Sequence, residues 1–465
     1  MPDYGLGSWP ARRARINPAG VALRQADRAL TYAELVATVD QFAAGLAARG
    51  VGRGDRVAYL GPNDIDMFVV FFATTRLGGI FAPFNTRLAA PEIAYLLDDA
   101  RPTVFIDNPD VYADVLGAGG AMPDTEVALV DDAVILYTSG TTGRPKGAVL
   151  THANMTFNTM NQLAHVDVLA TDTALCMCPL FHATGLGQVS LPTLFKGGTV
   201  VVLPRFDAGE VLASIERLRI ASFAAVPTML QLLCDHPDFA GTDLGSLRYA
   251  IYGGSMVAER VAVAWQRRGV DILQGYGMTE AAPGVYLAPA DGAAARPVSI
   301  GVPHFFTDVT LAPGGELLVR GLNVFRGYWQ RPADTEAAFT DGWYRSGDVL
   351  RVDDDGWAYV VDRVTDLIIS GGENIYPSEV EAAVNALPGI VDCALIGVPD
   401  ERWGEVGAAF VMASDPAWTP ESLRVALSGV IAEFKIPKHV RFVAELPRTA
   451  TGKVRKQELR RLSRP

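Results

Sequence analysis

The sequence contains few cysteines, and their arrangement is not that of a disulfide or metal site. Cys176, Cys178, Cys234 and Cys393 are the four cysteines among 465 residues, and they form no C-x-x-C pair. Only His236 lies near one of them. The pattern argues against both a disulfide framework and a zinc site. Four free thiols in a reducing compartment are therefore expected.

Long apolar runs are also missing. The most lipid-like stretch, residues 67–84, is interrupted by Thr74, Thr75, Arg76 and Pro83. The first twenty residues contain arginines without a following apolar run. Neither a membrane-spanning helix nor a signal peptide is therefore expected, and we expect no integral membrane association.

Positive charge is scarce overall but locally concentrated. The chain has 40 Lys and Arg against 52 Asp and Glu, a net charge of −12, with 49% apolar and 20% charged residues. This composition is typical of globular proteins, and the acidic total argues against nucleic acid as a partner. From Lys435 onward, however, the sequence contains ten basic residues and only two acidic ones, Glu445 and Glu458. A solvated tail and a segment directed at an anionic substrate both remain open.

The first two thirds of the chain have an α/β pattern. A capping box of Thr31 and Glu34 and helical apolar spacing predict a helix over residues 30–49. Short β-branched runs then alternate with helix-like segments, which predicts largely parallel sheets flanked by helices. The predicted strands are residues 56–60, 103–106, 133–137, 199–203, 222–226, 248–252 and 271–273.

The last third of the chain has a different pattern. Shorter strands and turns from residue 316 predict a β-rich subdomain, and the segment after residue 364 has its own compact α+β pattern, including a helix over residues 420–434. About 100 residues suffice for a small domain. We therefore predict a large domain over 1–363 and a small one over 364–465.

One segment, residues 137–147, has the composition of a phosphate cradle. It follows a predicted strand and concentrates hydroxyls, glycines and a lysine in eleven residues. Glycine lets backbone N–H groups close around a polyanion, and lysine supplies charge. The Walker A spacing is absent. The candidate phosphate-binding residues are Thr138, Ser139, Gly140, Thr141, Thr142, Gly143 and Lys146.

Together with four further motifs, this segment resembles the adenylate-forming enzymes, which include acyl- and aryl-CoA synthetases, carrier-loading adenylation domains and firefly luciferase. The resemblance spans nearly the whole chain, and the motifs occur in the family's order. They are Pro179-Leu-Phe-His182, Tyr276-Gly-Met-Thr-Glu280, Trp343-Tyr-Arg-Ser-Gly-Asp348 with Asp362-Arg363, and Pro447-Arg-Thr-Ala-Thr-Gly-Lys453.

The resemblance implies roles for individual residues of the large domain. Tyr276 stacks on adenine, Thr279 contacts the α-phosphate and Glu280 holds Mg²⁺. Asp348 accepts hydrogen bonds from the ribose hydroxyls, with Arg363 as a second nucleotide contact. The nucleotide site is completed by Gly253, Gly254, Ser255, Gly277 and Met278.

The resemblance also implies roles near the acyl group and in the small domain. His182 lies beside the acyl pocket as a gating or positioning residue. Lys453 bridges the substrate carboxylate and the α-phosphate, whereas its basic neighbours are expected to be solvated. Gly371 and Gly372 line a tunnel for CoA. Thr365 stands at the hinge, where the family has Asp or Lys.

The implied activity is a two-step ligation of a carboxylic acid to CoA with ATP and Mg²⁺, in the cytoplasm. The segments that the resemblance places around the acyl group are apolar and rich in glycine, without Lys or Arg, so a hydrophobic medium- or long-chain, aromatic or polycyclic acid is expected. Gly277, where acetate-specific relatives have tryptophan, suggests room for a larger acid.

Loading of an external carrier protein is an open alternative. A catalytically inactive nucleotide-binding regulator is disfavoured by the presence of Lys146, Glu280, Asp348 and Lys453, and luciferase-type oxidation ranks last.

Overall fold

The structure, a computed structural model, describes residues 3–138, 144–254, 257, 259–297, 299–363, 368–447, 454 and 456–462. The chain separates into two compact units. The first comprises residues 1–86, 100–136 and 147–362, and the second comprises residues 87–99, 137–146 and 363–465. No sequence pattern indicated that residues 87–99 and 137–146 would group with the C-terminal segment. The predicted boundary after residue 363 stays a prediction.

The helices and strands alternate along most of the described chain. The helices are, in chain order, α1 (Trp9–Ala14), α2 (Tyr32–Ala48), α3 (Ile65–Arg76), α4 (Ala90–Ala100), α5 (Pro109–Gly117), α6 (His152–His165), α7 (Leu191–Lys196), α8 (Ala208–Leu218), α9 (Pro227–Asp235), α10 (Glu259–Arg267), α11 (Ala290–Ala293), α12 (Pro332–Ala338), α13 (Pro377–Asn385), α14 (Pro420–Leu427) and α15 (Lys456–Leu462). The strands are β1 (Val21–Gln25), β2 (Arg28–Thr31), β3 (Arg56–Tyr59), β4 (Ile80–Pro83), β5 (Val104–Ile106), β6 (Asp132–Thr138), β7 (Lys146–Thr151), β8 (Thr173–Cys176), β9 (Thr199–Val202), β10 (Ser222–Ala225), β11 (Tyr249–Tyr252), β12 (Asp271–Gly277), β13 (Gly284–Leu287), β14 (Val302–Pro303), β15 (Thr307–Leu311), β16 (Glu316–Gly321), β17 (Gly327–Tyr328), β18 (Phe339–Thr340), β19 (Trp343–Val352), β20 (Ala358–Arg363), β21 (Ile368–Ser370), β22 (Glu373–Ile375), β23 (Ile390–Asp400), β24 (Gly404–Ala413) and β25 (His439–Phe442).

Two largely parallel sheets dominate the first unit, as the α/β pattern predicted. Over the described residues, the larger sheet has the strand order β14-β13-β12-β11-β10-β8-β9-β1-β2. Its central strands from β12 to β1 pair in parallel, and its edges are antiparallel. The second sheet has the order β17-β7-β6-β4-β3-β5, with β6, β4, β3 and β5 parallel. An antiparallel sheet, β15-β16-β19-β18 with β20 on β19, is the predicted β-rich part.

Local sequence explains α2 and α3. The Thr31 side chain accepts a hydrogen bond from the Glu34 amide, and the Glu34 carboxylate accepts one from the Thr31 amide, so the predicted capping box forms. Helix α3 covers most of the apolar stretch noted above and is buried almost all round, which makes it a core helix. No helix in the described part of the chain combines the length and apolarity that crossing a bilayer requires.

The second unit is built around an antiparallel sheet with the order β22-β21-β24-β23, to which β25 adds in parallel. Helix α14 covers only the first half of the helix predicted over residues 420–434. It ends at Leu427, and Gly429 takes a φ of +77°, a left-handed conformation that stops a helix. The prediction of one long helix was therefore wrong in its second half.

The basic C-terminal stretch begins with a buried lysine. The Lys435 Nζ lies 2.8 Å from Glu92 Oε1 and 2.6 Å from Glu379 Oε1, and its side chain is only 3% exposed. Further along, the Lys456 Nζ lies 2.8 Å from Glu381 Oε1. A uniformly solvated tail is therefore the wrong description of this stretch.

Candidate functional site

Tyr276 and Glu280 lie where the central strands of the larger sheet end. Strand β12 runs to Gly277, and a short 3-10 helix over Thr279–Ala281 follows. The carboxyl ends of parallel strands are the usual ligand-binding edge of an open α/β sheet. The Tyr276 hydroxyl donates a hydrogen bond of 2.6 Å to Asp348 Oδ2, so two predicted site residues 72 positions apart meet.

The second carboxylate of this region, Glu280, is buried and held from two sides. Its main-chain oxygen accepts a bond of 2.8 Å from the Phe325 amide, and Oε1 accepts one of 2.9 Å from the Tyr328 hydroxyl. Burial, reinforced by the negative charge of Glu280, raises the pKa of Tyr328 well above its usual value. Tyr328 is therefore a neutral donor that orients the carboxylate.

Gly277 is required by close packing of the backbone. A Cβ at this position would lie 1.7 Å from the Pro283 carbonyl oxygen, and the Met278 amide donates to that same oxygen at 2.9 Å. The absence of a side chain at Gly277 therefore permits the approach of Pro283. The expectation that Gly277 leaves room for a larger acid stays a prediction.

Asp348 is positioned by β19, which pairs with β16. The side chain is largely buried, and the Asp348 amide donates a 3.1 Å bond to Ser346 Oγ. Arg363 is the last residue of β20, and β20 pairs with β19. The side chain of Arg363 lies outside the described residues.

His182 belongs to a turn that leads into a π-helix over Gly185–Ser190. The His182 amide donates to the Pro179 carbonyl at 3.1 Å, and the His182 ring lies 4.7 Å from that of Phe181. A Cβ at Gly185 would approach the Pro179 carbonyl oxygen to 2.3 Å, so the turn needs this glycine. π-helices often occur at functional sites.

The two glycines after β11 continue the ligand-binding edge. The Gly253 amide donates to the Ala225 carbonyl at 3.3 Å, and Gly254 has a φ of +92° with open space where a Cβ would be. Ser255 lies outside the described residues.

The phosphate-loop prediction is described only at its two ends. The Thr138 hydroxyl lies 3.4 Å from the Lys146 carbonyl oxygen. Next to them, the Tyr137 hydroxyl donates to Asp99 Oδ2 at 2.9 Å. Ser139, Gly140, Thr141, Thr142 and Gly143 lie outside the described residues, so their roles stay predictions.

In the second unit, the predicted CoA loop forms a tight turn between β21 and β22. Gly371 and Gly372 have φ values of +57° and +83°, and a Cβ at Gly371 would come 2.6 Å from Trp403 Cε3. The turn therefore needs glycine whether or not a ligand passes beside it. Lys453 and Thr365 lie outside the described residues, and their roles stay predictions.

Glu280 is the carboxylate for which a role in holding a metal ion was predicted. Within the described ranges, no group of three or more His, Cys, Asp or Glu is arranged to hold a metal. Mg²⁺ commonly takes one or two carboxylates and completes its shell with water and substrate phosphates. The buried Glu280 carboxylate fits such a site.

Sequence reasoning missed the residues that hold these segments in place. The Asn63 amide donates to the Cys178 carbonyl at 2.9 Å, and its oxygen accepts from the Leu180 amide at 2.8 Å. Tyr328 was also missed. Neither Asn63 nor Tyr328 belongs to a local sequence pattern from which its distant partner could be predicted.

Comparison with known proteins identifies the family of the chain. The family model of the AMP-binding enzymes matches residues 10–131 and 109–329, and that of their C-terminal domain matches residues 379–453. A feruloyl-CoA synthase from Amycolatopsis sp is 47% identical over 488 residues, with 99% of each chain covered. An indoleacetate–CoA ligase from Aromatoleum aromaticum is 39% identical, with 98% of each covered.

A solved structure extends the comparison to the fold. A double mutant of the o-succinylbenzoate CoA synthetase from Bacillus subtilis, bound to its product analogue, has a TM-score of 0.91 and 30% identity, with 98% of each chain covered. The chain therefore belongs to the AMP-binding enzyme family of adenylate-forming enzymes, within its branch of AMP-forming acyl- and aryl-CoA ligases.

Proposed function

We propose that the protein joins an aromatic carboxylic acid of the phenylpropenoic type to CoA. The observation that carries this proposal is the 47% identity to a feruloyl-CoA synthase over 99% of both chains. The 39% identity to an indoleacetate–CoA ligase also supports an aromatic acid over an aliphatic one. This narrows the wider class of hydrophobic acids expected from the sequence.

In the first half-reaction, a carboxylate oxygen of the acid attacks the α-phosphorus of ATP, and the bond to pyrophosphate breaks. We propose that Tyr276 stacks on adenine while Asp348, held by the Tyr276 hydroxyl, accepts the ribose hydroxyls. The loop from Thr138 to Lys146 would surround the phosphates, and Thr279 would contact the α-phosphate.

Positive charge is needed because the attacking and attacked groups are both anionic. Lys453 would supply a fixed cation between carboxylate and α-phosphate. Mg²⁺, when bound at Glu280, would neutralise phosphate charge. Tyr328 would keep the Glu280 carboxylate pointed at that place through its 2.9 Å bond.

In the second half-reaction, the CoA thiolate attacks the acyl carbon, and the bond between that carbon and the AMP oxygen breaks. We propose that the turn of Gly371 and Gly372 lines the path of CoA and that Thr365 absorbs the accompanying backbone rotation. His182 would position or gate the acyl group. CoA is favoured over a carrier protein because the relatives compared above are named for CoA.

A panel of acids tests the substrate class. Pyrophosphate release and thioester formation are measured with ferulate, cinnamate, indoleacetate, decanoate, malonate and acetate, using free CoA. Ferulate, the hydroxylated phenylpropenoic acid of the panel, should give the highest kcat/KM. Best turnover with acetate, malonate or decanoate would refute the aromatic assignment, and adenylate formation without any CoA thioester would refute CoA as the acceptor.

A further inference from the structure

Helix α6 buries polar side chains in its second half, and this requires an explanation. Asn158, Thr159, Asn161 and Gln162 have no exposed surface. Burying a polar group costs free energy unless it finds a hydrogen-bonding partner. We therefore compared the hydrogen bonds of these side chains. Those with protein partners have a structural role, whereas the others retain an unpaired donor or acceptor.

Both asparagines are hydrogen-bonded within the protein, Asn158 to the backbone and Asn161 to the backbone and the Thr307 hydroxyl. The Asn158 amide donates to the Gly187 carbonyl at 2.9 Å, and its oxygen accepts from the Gly284 amide at 3.1 Å. The Asn161 oxygen accepts from the Phe306 amide at 2.8 Å. Both residues fasten neighbouring segments and have a structural explanation.

A glutamine pair next to them is not fully used. The Gln162 amide nitrogen donates to Gln188 Oε1, and within the described chain Gln162 Oε1 has no hydrogen-bonding partner. No described residue hydrogen-bonds the Gln188 amide nitrogen either. Whichever way the two amides are turned, one bond between them leaves one acceptor and one donor unused.

His304 is similar. The residue is 2% exposed, and neither ring nitrogen has a hydrogen-bonding partner among the described residues. The ring centroid of His165 lies 4.6 Å from that of His304. Burial lowers the pKa of His304 to about 3, so the imidazole is neutral near pH 7.

These unused groups border the segments expected around the acyl group. Gln188 follows Gly187 within the π-helix, and Gly284 is the strand partner of Gly277 in the β12–β13 pair. A Cβ at Gly284 would come 2.7 Å from His304 Nε2, so the imidazole lies directly against this strand. Gln162, Gln188 and His304 are called the amide–imidazole cluster below.

We propose that the amide–imidazole cluster receives the far end of the substrate and hydrogen-bonds a phenolic hydroxyl on its aromatic ring. The inference rests on the proposed function and specifies how that site selects its acid. A phenolic hydroxyl both donates and accepts, which matches the acceptor and donor left by the glutamine pair. All three cluster side chains are uncharged, so the cluster suits a neutral phenol rather than a second carboxylate.

An acid without the hydroxyl would leave the same buried groups unpaired. Sites built to bond a hydroxyl reject the analogue lacking it far more strongly than apolar pockets reject a missing methylene. The cluster is therefore expected to discriminate between two acids that differ only at the ring position farthest from the carboxylate.

The test compares 4-hydroxycinnamate with cinnamate in the full-length enzyme. In the wild type, kcat/KM should favour the hydroxylated acid by about 100-fold or more. Gln188→Met and His304→Leu should each lower that ratio about tenfold, chiefly through the hydroxylated acid. Gln41→Met, which changes an exposed glutamine of α2, is the matched control and should leave the ratio unchanged.

The outcomes separate this inference from the proposed function. A wild-type ratio near one, or a ratio unchanged in both variants, would overturn the inference and would mean that the cluster only holds buried water. An enzyme that makes no CoA thioester from any acid would overturn the proposed function instead. Because the wild-type ratio needs no variant, poor folding of either variant leaves the test decisive.

Discussion

Each unit contains a pair of largely buried carboxylates, and the two pairs are held in different ways. In the first unit, Glu280 and Asp348 each accept a hydrogen bond from a tyrosine hydroxyl, at 2.9 and 2.6 Å. In the second unit, Glu92 and Glu379 lie against the ammonium group of Lys435. A tyrosine hydroxyl orients a carboxylate, whereas a lysine also neutralises its charge.

The roles proposed for these carboxylates follow the same division. A carboxylate oriented by a tyrosine hydroxyl suits the cation or ligand hydroxyls that are proposed to arrive with the substrate. A carboxylate that is neutralised by a buried lysine already has its ionic partner within the protein. The same contrast applies to lysines, because Lys435 is buried in an ion cluster and Lys453 is proposed to act on the substrate.

The largest expected effect is on stability, from Lys435→Met. Removing one partner of a buried ion cluster leaves carboxylates without their cation, which typically costs about 3–5 kcal/mol. Hydrogen exchange of the β23 and β24 amides measures this loss in the second unit. The double variant Lys435→Met, Glu379→Leu should recover part of it. An unchanged exchange rate would mean that the cluster does not stabilise the unit.

The pH dependence of this variant follows from the carboxyl groups. Burial raises the pKa of Glu379 above its ordinary value of 4.5, while Lys435 counteracts the rise. A raised carboxyl pKa means that the folded state binds the extra proton, so stability is lost as pH rises through the folded value. Without the lysine this pKa rises further, and Lys435→Met should be more destabilising at pH 8 than at pH 5.

Lys453→Ala should show the opposite behaviour, a loss of activity without a loss of stability. Removing one preorganised charge should slow adenylation by about 10²–10³-fold. The thioester step from supplied acyl-adenylate should be much less affected. Arg461→Ala, which changes an exposed residue of α15, is the control. An equal loss in both half-reactions would contradict the assignment of Lys453 to adenylation.

The smallest expected effect is from Tyr328→Phe. This variant keeps the aromatic ring but removes the donor that orients Glu280. Loss of a residue that hydrogen-bonds a metal ligand typically costs about 10–100-fold in metal affinity. The Mg²⁺ concentration for half-maximal adenylation should therefore rise by about tenfold, with kcat at saturating Mg²⁺ less affected. If the Mg²⁺ dependence stays the same while kcat falls, Tyr328 does not act through a metal at Glu280.

Features encoded locally could be predicted from the sequence. The capping box of Thr31 and Glu34 predicted α2 because both partners are three residues apart, and alternation of strands and helices predicted the parallel sheets. The end of α14 was misjudged because an apolar pattern continues past Gly429 while the backbone turns.

The contacts that build the site could not be predicted in this way. Glu280 and Tyr328 are 48 residues apart, and Asn63 and Cys178 are 115 apart. The order of the strands in the sheets brings such pairs together, and the pairs produce no periodic pattern in the sequence. Similarly, the close approach of Gly277 to the Pro283 carbonyl oxygen is visible only in the structure.

The most direct test of the account is the product balance of the wild-type enzyme with ferulate, ATP and CoA. Chromatography with mass detection should find one AMP, one pyrophosphate and one feruloyl-CoA for each ATP consumed. Without CoA, feruloyl-AMP should accumulate to about one equivalent of enzyme. Formation of ADP and phosphate, or consumption of ATP without a CoA thioester, would contradict it.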